Sequence, residues 1–320
     1  MSALLSVQDL EVSYPLRGNI FSRRRFLKAV RKVSFELGRG EIIGLVGESG
    51  CGKSSLGRAL VRLEKPSAGK ILLNGVDIAG ASAKELAPLR KHFQMIFQDP
   101  YGSLNPRLTI FSSLDEVIRM NGSSDLKTRR SKAAELLCRV GLKEEYLDRY
   151  PHQFSGGQRQ RIGIARALAA DPLFIVADEP VSALDVSVQA AVVNLLDDIR
   201  KEYGTSFIFI AHDLAVVEHI SDRIMVMYLG NVVESAPAHE LVANCRHPYT
   251  EALLSAVPEV VPSGKERIVL SGDVPSPIDP PSGCPFHERC RRCLDICRTS
   301  MPQWQCENGH GFACFNPVDK

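Results

Sequence analysis

The first 80 residues carry short apolar segments that are bounded by glycine, proline and polar residues. Three segments have the length and the side-chain types of β-strands, at residues 5–14, 33–37 and 41–46. A further segment, 70–78, has Asn74-Gly75 near its centre, and this pair favours the tight turn of a β-hairpin. We therefore predict that this part of the chain is rich in β-structure.

A helical spacing of apolar residues replaces this pattern from about residue 108 to residue 170. Strand-like segments occur on either side of it, at 94–97, 173–177 and 206–211. The last two are separated by a helical segment, 187–202. Strands that alternate with helices predict an α/β fold with a mostly parallel sheet and an inserted helical subdomain.

The pattern changes again near residue 258. Nine of the 19 prolines and six of the nine cysteines follow this point. Proline lacks a backbone donor and has a fixed φ, so the segment 274–285 is predicted to form neither a regular helix nor a central strand. We therefore divide the chain into an α/β unit, residues 1–257 with a helical subdomain at about 100–170, and a Cys/Pro-rich extension, residues 258–320.

The composition, 44% hydrophobic and 24% charged, is that of an ordinary globular protein. The 39 Lys and Arg residues against 37 Asp and Glu leave a net charge of +2, which is too balanced for a dedicated nucleic-acid binder. Seven basic residues between Tyr14 and Val33 are predicted to form a solvated loop, with an anionic lipid surface as the alternative. The chain has neither an apolar run of ~18–20 residues nor a signal-peptide pattern, so we expect it in the cytoplasm.

A glycine-rich loop follows the apolar segment 42–46 and precedes a helical pattern that begins near Lys53. It fits the motif G-x-x-x-x-G-K-[ST] and consists of Gly47, Glu48, Ser49, Gly50, Cys51, Gly52, Lys53 and Ser54. Its backbone N–H groups can surround phosphates, Lys53 adds a positive charge against the β- and γ-phosphates, and the Ser54 hydroxyl is a ligand for Mg²⁺. Cys51 is interpreted as a small residue that fits the loop, with a reactive thiol as the alternative.

Two adjacent carboxylates, Asp178 and Glu179, follow the apolar segment 173–177. A pair at the end of a strand can serve a metal ion and a water molecule, because one carboxylate holds Mg²⁺ through water while the other acts as the base toward the attacking water. The alternative is a structural pair that caps the next helix.

Two further sequence features are weaker when taken alone. The run Ser155, Gly156, Gly157 and Gln158 opens a helical segment, so it offers a second helix N-terminus to an anion. An ordinary N-cap at Ser155 is the simpler interpretation. His212 follows the apolar segment 207–211, where a lone histidine is usually structural.

Taken in order along the chain with Gln98 and the segment 182–185, these motifs resemble those of the ATP-binding-cassette ATPases. The resemblance covers the whole chain, and Ser155-Gly-Gly-Gln158 ahead of a strand that ends in two carboxylates is nearly diagnostic. It implies an α/β cassette with a RecA-like phosphate-loop core, an antiparallel β subdomain and the inserted helical subdomain, which binds ATP and Mg²⁺.

The same resemblance implies roles for single residues. Tyr14 is expected to stack on adenine, and Ser55 and Asp178 to complete the nucleotide site. Gln98 is expected to contact Mg²⁺ and the attacking water, Glu179 to act as the base and His212 to touch the γ-phosphate.

Four longer segments, 97–106, 179–189, 247–250 and 272–290, resemble the ATPase subunits of dipeptide and oligopeptide importers. This resemblance implies a second ABC ATPase subunit (another copy or a related chain), two transmembrane permease subunits and, indirectly, an extracytoplasmic solute-binding protein. It also implies a peripheral position on the cytoplasmic face of the inner (plasma) membrane. The alternatives are an importer ATPase for nickel or sugars, and a soluble cassette that acts as a clamp on ribosomes or nucleic acid.

Cysteine is concentrated in the extension, and in relatives of this family the positions of four of its cysteines can hold a [4Fe–4S] cluster. They are Cys284, Cys290, Cys297 and Cys314. Zinc is the runner-up, since thiolates with His287 or His310 would satisfy a tetrahedral ion, and free thiols are a third interpretation. Cys293 and Cys306 exceed the pattern of four.

Overall fold

A computed structural model describes the protein at residues 3–16, 25–122, 125–182, 184–257 and 268–319. The strands in chain order are β1 (Leu5–Pro15), β2 (Phe26–Leu37), β3 (Ile42–Val46), β4 (Ala68–Leu73), β5 (Val76–Asp77), β6 (Phe93–Ile96), β7 (Phe174–Asp178), β8 (Ser206–Ile210), β9 (Arg223–Tyr228), β10 (Asn231–Pro237), β11 (Gln305–Glu307) and β12 (His310–Phe312). The α-helices are α1 (Lys53–Leu60), α2 (Ala83–Leu86), α3 (Ile110–Met120), α4 (Leu126–Arg139), α5 (Gly156–Leu168), α6 (Val186–Tyr203), α7 (Leu214–Ile220), α8 (Ala238–Ala243), α9 (Pro248–Ser255) and α10 (Asp295–Thr299).

The chain forms two compact units. One comprises residues 1–80 and 209–320, and the other comprises residues 81–208, so that β8 leads from the second unit back into the first. The predicted boundary after residue 257 falls where residues 258–267 lie outside the described part, and it stays a prediction.

An antiparallel sheet in the first unit has the strand order β2-β1-β4-β5. β2 pairs along all of β1, from Leu37 opposite Leu5 to Phe26 opposite Pro15. The predicted loop is therefore wrong from residue 26 onward, because pairing with β1 satisfies this backbone while Lys28 and Lys32 keep exposed side chains. Of the basic residues in that segment, three lie outside the described residues: Arg17, Arg23 and Arg24.

The other strands of the first unit follow the order β11-β12-β10-β9-β3. β3 and β9 are parallel, whereas β9, β10, β12 and β11 pair antiparallel in turn. All five residues of β3 are buried, which fixes the position at which the glycine-rich loop begins. Glu234 lies opposite Phe312, so the Cys/Pro-rich extension adds a hairpin to this sheet that the sequence pattern did not predict.

In the second unit, β6 and β7 form a parallel pair in which Ile96 lies opposite Ala177. The predicted helical segment is confirmed as α3, α4 and α5. Each of these helices begins after a side chain that accepts a hydrogen bond from the first turn, namely Thr109, Asp125 and Ser155. The predicted hairpin is also confirmed, with Asn74 and Gly75 at positive φ in the turn between β4 and β5.

Candidate functional site

The glycine-rich loop connects β3 to α1, and two of its glycines are required by close packing. At Gly47, with φ 151°, a Cβ atom would lie 2.2 Å from the carbonyl oxygen of Met227. At Gly52, with φ 111°, a Cβ atom would lie 2.1 Å from the carbonyl oxygen of Ala29. Any side chain at these positions would displace the backbone, so the loop shape depends on glycine.

Lys53 is buried, and its ammonium group lies over the loop. Nζ donates to the carbonyl oxygens of Gly47, at 2.7 Å, and Glu48, at 3.1 Å. The loop therefore holds a positive charge at the N-terminal end of α1, where the backbone N–H groups also favour an anion. This arrangement can bind phosphate.

Tyr14 lies beside this loop, because its hydroxyl is 3.4 Å from the Ser55 hydroxyl and can donate to it. Ser54 and Ser55 are half-buried in the first turn of α1. Burial raises the pKa of the Cys51 thiol, which favours the interpretation of Cys51 as a packing residue over a reactive thiol.

His212 is exposed directly after Ala211, whose N–H donates to the carbonyl oxygen of Leu45 on β3 over 3.3 Å. Of the predicted site residues, the first unit thus places His212 beside the strand that leads into the glycine-rich loop. Tyr14 and the whole loop belong to this unit as well.

The end of the first unit contacts the loop through residues that the sequence motifs do not reveal. The Tyr249 hydroxyl accepts a hydrogen bond of 2.8 Å from the Glu48 N–H, and the Arg289 guanidinium pairs with the Glu48 carboxylate over 2.6 Å and 3.0 Å. Both residues lie within segments that carried the resemblance to importer ATPases, 247–250 and 272–290. That signal was present, but the sequence does not show that these segments contact the loop.

The second unit places the predicted base. Asp178 ends β7 and is buried, and Glu179 follows it at φ 45°, a left-handed conformation that is costly for a residue with a Cβ atom. Strained backbone of this kind is concentrated at functional sites. The Gln98 amide donates to the Glu179 carboxylate over 2.7 Å.

The helix N-terminus at Ser155 also belongs to the second unit. Gln158 N–H donates to the Ser155 hydroxyl over 3.3 Å, and Ser155 N–H donates to the Gln158 side-chain oxygen over 3.0 Å, which completes a capping box. A surface cavity of about 310 Å³ opens at this helix end and is lined by Ser155, Gly156, Gly157, Gln158 and Arg161 together with residues from the start of α6. The N-cap interpretation is therefore correct, and the same helix end has room for an anion.

In the extension, Cys290 and Cys297 lie close enough to Cys284 and Cys314 to affect the pKa of those two thiols. Burial, and to a lesser degree the neighbouring thiols of Cys290 and Cys297, raise the pKa of Cys284 to about 12 and that of Cys314 to about 11. The six cysteines of the extension all lie in the described part of the chain, and none of them forms a disulfide there. Within the described ranges, no group of three or more His, Cys, Asp or Glu residues has an arrangement that could hold a metal ion.

The two histidines of the alternative zinc site, His287 and His310, have other contacts. His310 Nε2 lies 2.7 Å from the buried Glu234 carboxylate, and His287 Nδ1 lies 2.9 Å from the carbonyl oxygen of Cys284. Cys306 is exposed on β11, and the Cys293 thiol donates to the carbonyl oxygen of Leu294.

Two family profiles match the chain. The profile described as "ABC transporter" matches residues 30–182. The profile described as "Oligopeptide/dipeptide transporter, C-terminal region" matches residues 233–297.

Curated relatives match over almost the full length. The chain is 50% identical over 317 residues to the oligopeptide transport ATP-binding protein AppF of Bacillus subtilis, covering 97% of this chain and 96% of AppF. It is 50% identical over 313 residues to the dipeptide transport ATP-binding protein DppF of Escherichia coli, covering 98% of this chain and 94% of DppF.

Solved structures confirm the predicted cassette fold. The dimeric post-hydrolysis structure of the ATP-binding cassette MJ0796 with ADP and Pi aligns with a TM-score of 0.66 at 28% identity, over 73% of this chain and 98% of that one. CbiO1 of Clostridium perfringens, part of the ABC transporter complex cbiONQ, aligns with a TM-score of 0.65 at 27% identity, over 76% of this chain and 92% of that one. None of the helices described in the chain has the length and apolar character that a membrane crossing requires.

Proposed function

We infer the function of this chain from one premise: it belongs to the ATP-binding-cassette family of transporter ATPases. We propose that it is the ATP-hydrolysing subunit of an importer for dipeptides or oligopeptides. The observation that carries the ATPase assignment is the buried Lys53 ammonium group, which donates to the carbonyl oxygens of its own glycine-rich loop. The 50% identity to dipeptide and oligopeptide transport ATP-binding proteins supports the peptide class.

The first unit supplies the groups that bind the nucleotide. Lys53 and backbone N–H groups of the loop hold the β- and γ-phosphates because they are donors at the N-terminal end of α1. Tyr14, whose hydroxyl reaches Ser55, stacks on the adenine in this proposal. His212 contacts the γ-phosphate in this proposal.

The second unit supplies the groups that activate water. Glu179 takes the proton from the attacking water, and Gln98 orients the Glu179 carboxylate through the 2.7 Å hydrogen bond between them. Ser54 and Gln98 would hold Mg²⁺, with Asp178 acting through water. The ion when bound neutralises charge on the phosphates.

Hydrolysis requires a second cassette. The helix N-terminus at Ser155–Gln158 is capped within its own chain, and the cavity in front of it is open. We propose that this end stabilises the γ-phosphate charge of ATP bound to the opposite subunit, which is another copy of this chain or a related ATPase.

The transport partners follow from the proposed role. We propose that two transmembrane permease subunits supply the pore, that a solute-binding protein delivers the peptide, and that this chain works as a peripheral subunit on the cytoplasmic face of the inner membrane. The match of residues 233–297 to the oligopeptide/dipeptide transporter C-terminal region supports this assembly.

Reconstitution tests the proposal. The chain is co-purified with the permease subunits and the companion ATPase with which it assembles, and the complex is placed in proteoliposomes. ATP turnover is then measured with the solute-binding protein either empty or loaded with a tripeptide. Stimulation by the peptide-loaded binding protein, lost in Lys53→Ala, is expected. Stimulation by nickel or sugar, or by ribosomes and nucleic acid in place of permeases, would establish one of the alternative functions instead.

We further propose that Cys284, Cys290, Cys297 and Cys314 hold a [4Fe–4S] cluster. Cys284, Cys297 and Cys314 are buried and Cys290 is half-buried. A [4Fe–4S] cluster binds thiolates and spreads its four ligands over four iron atoms, whereas a zinc ion draws all four onto itself. When bound, the cluster would cross-link residues 284–314 covalently. That role is structural.

A further inference from the structure

An ion pair connects the extension to the phosphate-binding loop. The Arg289 guanidinium makes two parallel contacts with the Glu48 carboxylate, Nη1 to Oε2 at 2.6 Å and Nη2 to Oε1 at 3.0 Å. The Arg289 side chain is 7% exposed and that of Glu48 is 27% exposed. A bidentate pair with this degree of burial is stronger than a surface ion pair, since less water screens it.

Arg289 is itself held in place by aromatic residues. Its Nη1 donates to the Tyr228 hydroxyl over 3.4 Å. Phe286, three residues earlier in the chain, packs its ring against those of Tyr228 and Tyr249 at centroid distances of 5.2 Å and 5.3 Å. Phe286 and Tyr249 are almost fully buried. The guanidinium is therefore presented to Glu48 by a packed support and does not have to be ordered when the pair forms.

Glu48 is fixed at both its backbone and its side chain. Its N–H donates to the Tyr249 hydroxyl, its carboxylate pairs with Arg289, and its carbonyl oxygen accepts from Lys53. Glu48 directly follows Gly47 in a loop whose glycines would otherwise allow many conformations. A loop that is ordered before the ligand arrives binds it more tightly, because the entropy of ordering is not lost on binding.

The charge of Glu48 gives a second reason. A carboxylate in the phosphate-binding loop repels a polyphosphate, and a guanidinium at hydrogen-bond distance offsets that repulsion. Arg289 thus acts on nucleotide affinity without being a phosphate ligand.

We propose that Arg289 is a positioning residue for the phosphate-binding loop, so that the extension sets the affinity of the site for Mg-ATP. This inference rests on the proposed ATPase function. It assigns to the extension a role in nucleotide binding that is separate from any metal centre.

The test compares two arginines that flank Cys290. Arg289→Gln is made in the full chain, with Arg291→Gln as the matched control, because Arg291 pairs with Glu251 of α9 instead of with Glu48. Displacement of a fluorescent ATP analogue gives Kd, and the reconstituted transporter gives KM and kcat. We expect Arg289→Gln to raise Kd and KM roughly tenfold with kcat changed less than twofold, as for a lost charge-assisted pair, and Arg291→Gln to change neither.

A double-mutant cycle tests the pair itself. In a Glu48→Gln background, Arg289→Gln should change Kd less than twofold, because no carboxylate is left to position or neutralise. If Arg289→Gln unfolds the chain, Arg289→Lys keeps the charge, loses the bidentate geometry and should give an intermediate Kd. An unchanged Kd in folded Arg289→Gln, an equal loss in Arg291→Gln, or the full tenfold loss in the Glu48→Gln background would overturn the inference. Failure of the proposed function is distinguishable, since wild-type protein would then not bind Mg-ATP or Lys53→Ala would bind it normally.

Discussion

Gln98 and Glu179 lie side by side because each stands two residues beyond a paired position in neighbouring parallel strands. Ile96 of β6 is opposite Ala177 of β7, and two residues further along each strand the Gln98 amide donates to the Glu179 carboxylate over 2.7 Å. The sheet register thus brings together two residues that are 81 positions apart in the sequence. The pairing also orients a carboxylate whose backbone is held at positive φ.

Glu179→Gln should bind Mg-ATP and hydrolyse it at least ~10²-fold more slowly, because a general base contributes about that much or more to the rate. Lys53 and the loop remain to hold the phosphates. Stopped turnover should leave the ATP-closed pair of cassettes stable, so size-exclusion chromatography with ATP should show a dimer, alone or with the companion ATPase. Gln98→Ala serves as the comparison and should lose less activity, since it leaves the base in place. Wild-type turnover in Glu179→Gln would remove this residue from the mechanism.

Ser155→Arg should leave ATP binding to the isolated chain unchanged and reduce hydrolysis by the assembled transporter more than tenfold, because a lost oxyanion-type donor costs about that much or more. A large side chain here would fill the cavity in front of α5. Ser82→Arg is the matched control, since Ser82 and Glu85 form the same capping box at α2 and its loss destabilises a helix end to a similar degree. If the isolated Ser155→Arg chain loses ATP binding as steeply as the complex loses turnover, the residue acts within its own subunit.

A site residue can be predicted from the sequence when the pattern that identifies it lies within a short segment of the chain. Lys53, Ser155 and Glu179 were predicted because each lies in a short motif whose residue types and spacing carry the chemistry. Arg289 was not, because its contact with Glu48 joins residues 241 positions apart and depends on the packing of Phe286. Burial and distance cannot be obtained from one sequence.

Dependence on distant partners also explains why the start of β2 was predicted as a loop and why the hairpin of β11 and β12 was not predicted. The basic residues from Lys28 to Lys32 indicated a loop, but pairing of β2 with β1 outweighs their low strand propensity. The hairpin of β11 and β12 is too short to show a period, and it is stabilised by its pairing with β10.

His247 should make the fold sensitive to acid. Its ring is buried, and burial lowers its pKa from 6.5 to about 4 despite the neighbouring Glu234 carboxylate, which acts in the opposite direction. The unfolded chain therefore binds a proton below pH 6.5 that the folded chain does not bind until about pH 4, so stability is fully present above pH 6.5 and is lost as the pH falls toward 4. For this one residue, the free energy of unfolding should fall by about 2 kcal/mol between pH 7 and pH 5.

His247→Asn isolates that contribution. His247 Nδ1 accepts the Tyr249 N–H over 3.1 Å as the cap of α9, and an asparagine side chain can accept the same bond without titrating. Urea denaturation of both proteins at pH 7 and pH 5 measures the free energy of unfolding. We expect this free energy to decrease less between the two pH values in the variant than in the wild-type protein. Equal decreases would mean that His247 is not the group that titrates.

The last prediction concerns the four cysteines proposed to hold iron. Protein purified without oxygen should be brown and contain roughly four irons and four sulfides per chain, as a cluster with four thiolate ligands requires.

Single replacement of Cys284, Cys290, Cys297 or Cys314 by Ser should bleach the colour and make the extension easier to cleave by limited proteolysis, because a small segment with many prolines gains stability from a metal cross-link. Cys306→Ser is the control, since Cys306 is exposed on β11. Cys293→Ser is the sharper control, since Cys297 lies close enough to contribute, after burial, to the raised pKa of the Cys293 thiol. Both should stay brown. Stoichiometric zinc without iron would show that the site holds zinc and no cluster, and bleaching in Cys293→Ser would show that Cys293 is one of the ligands.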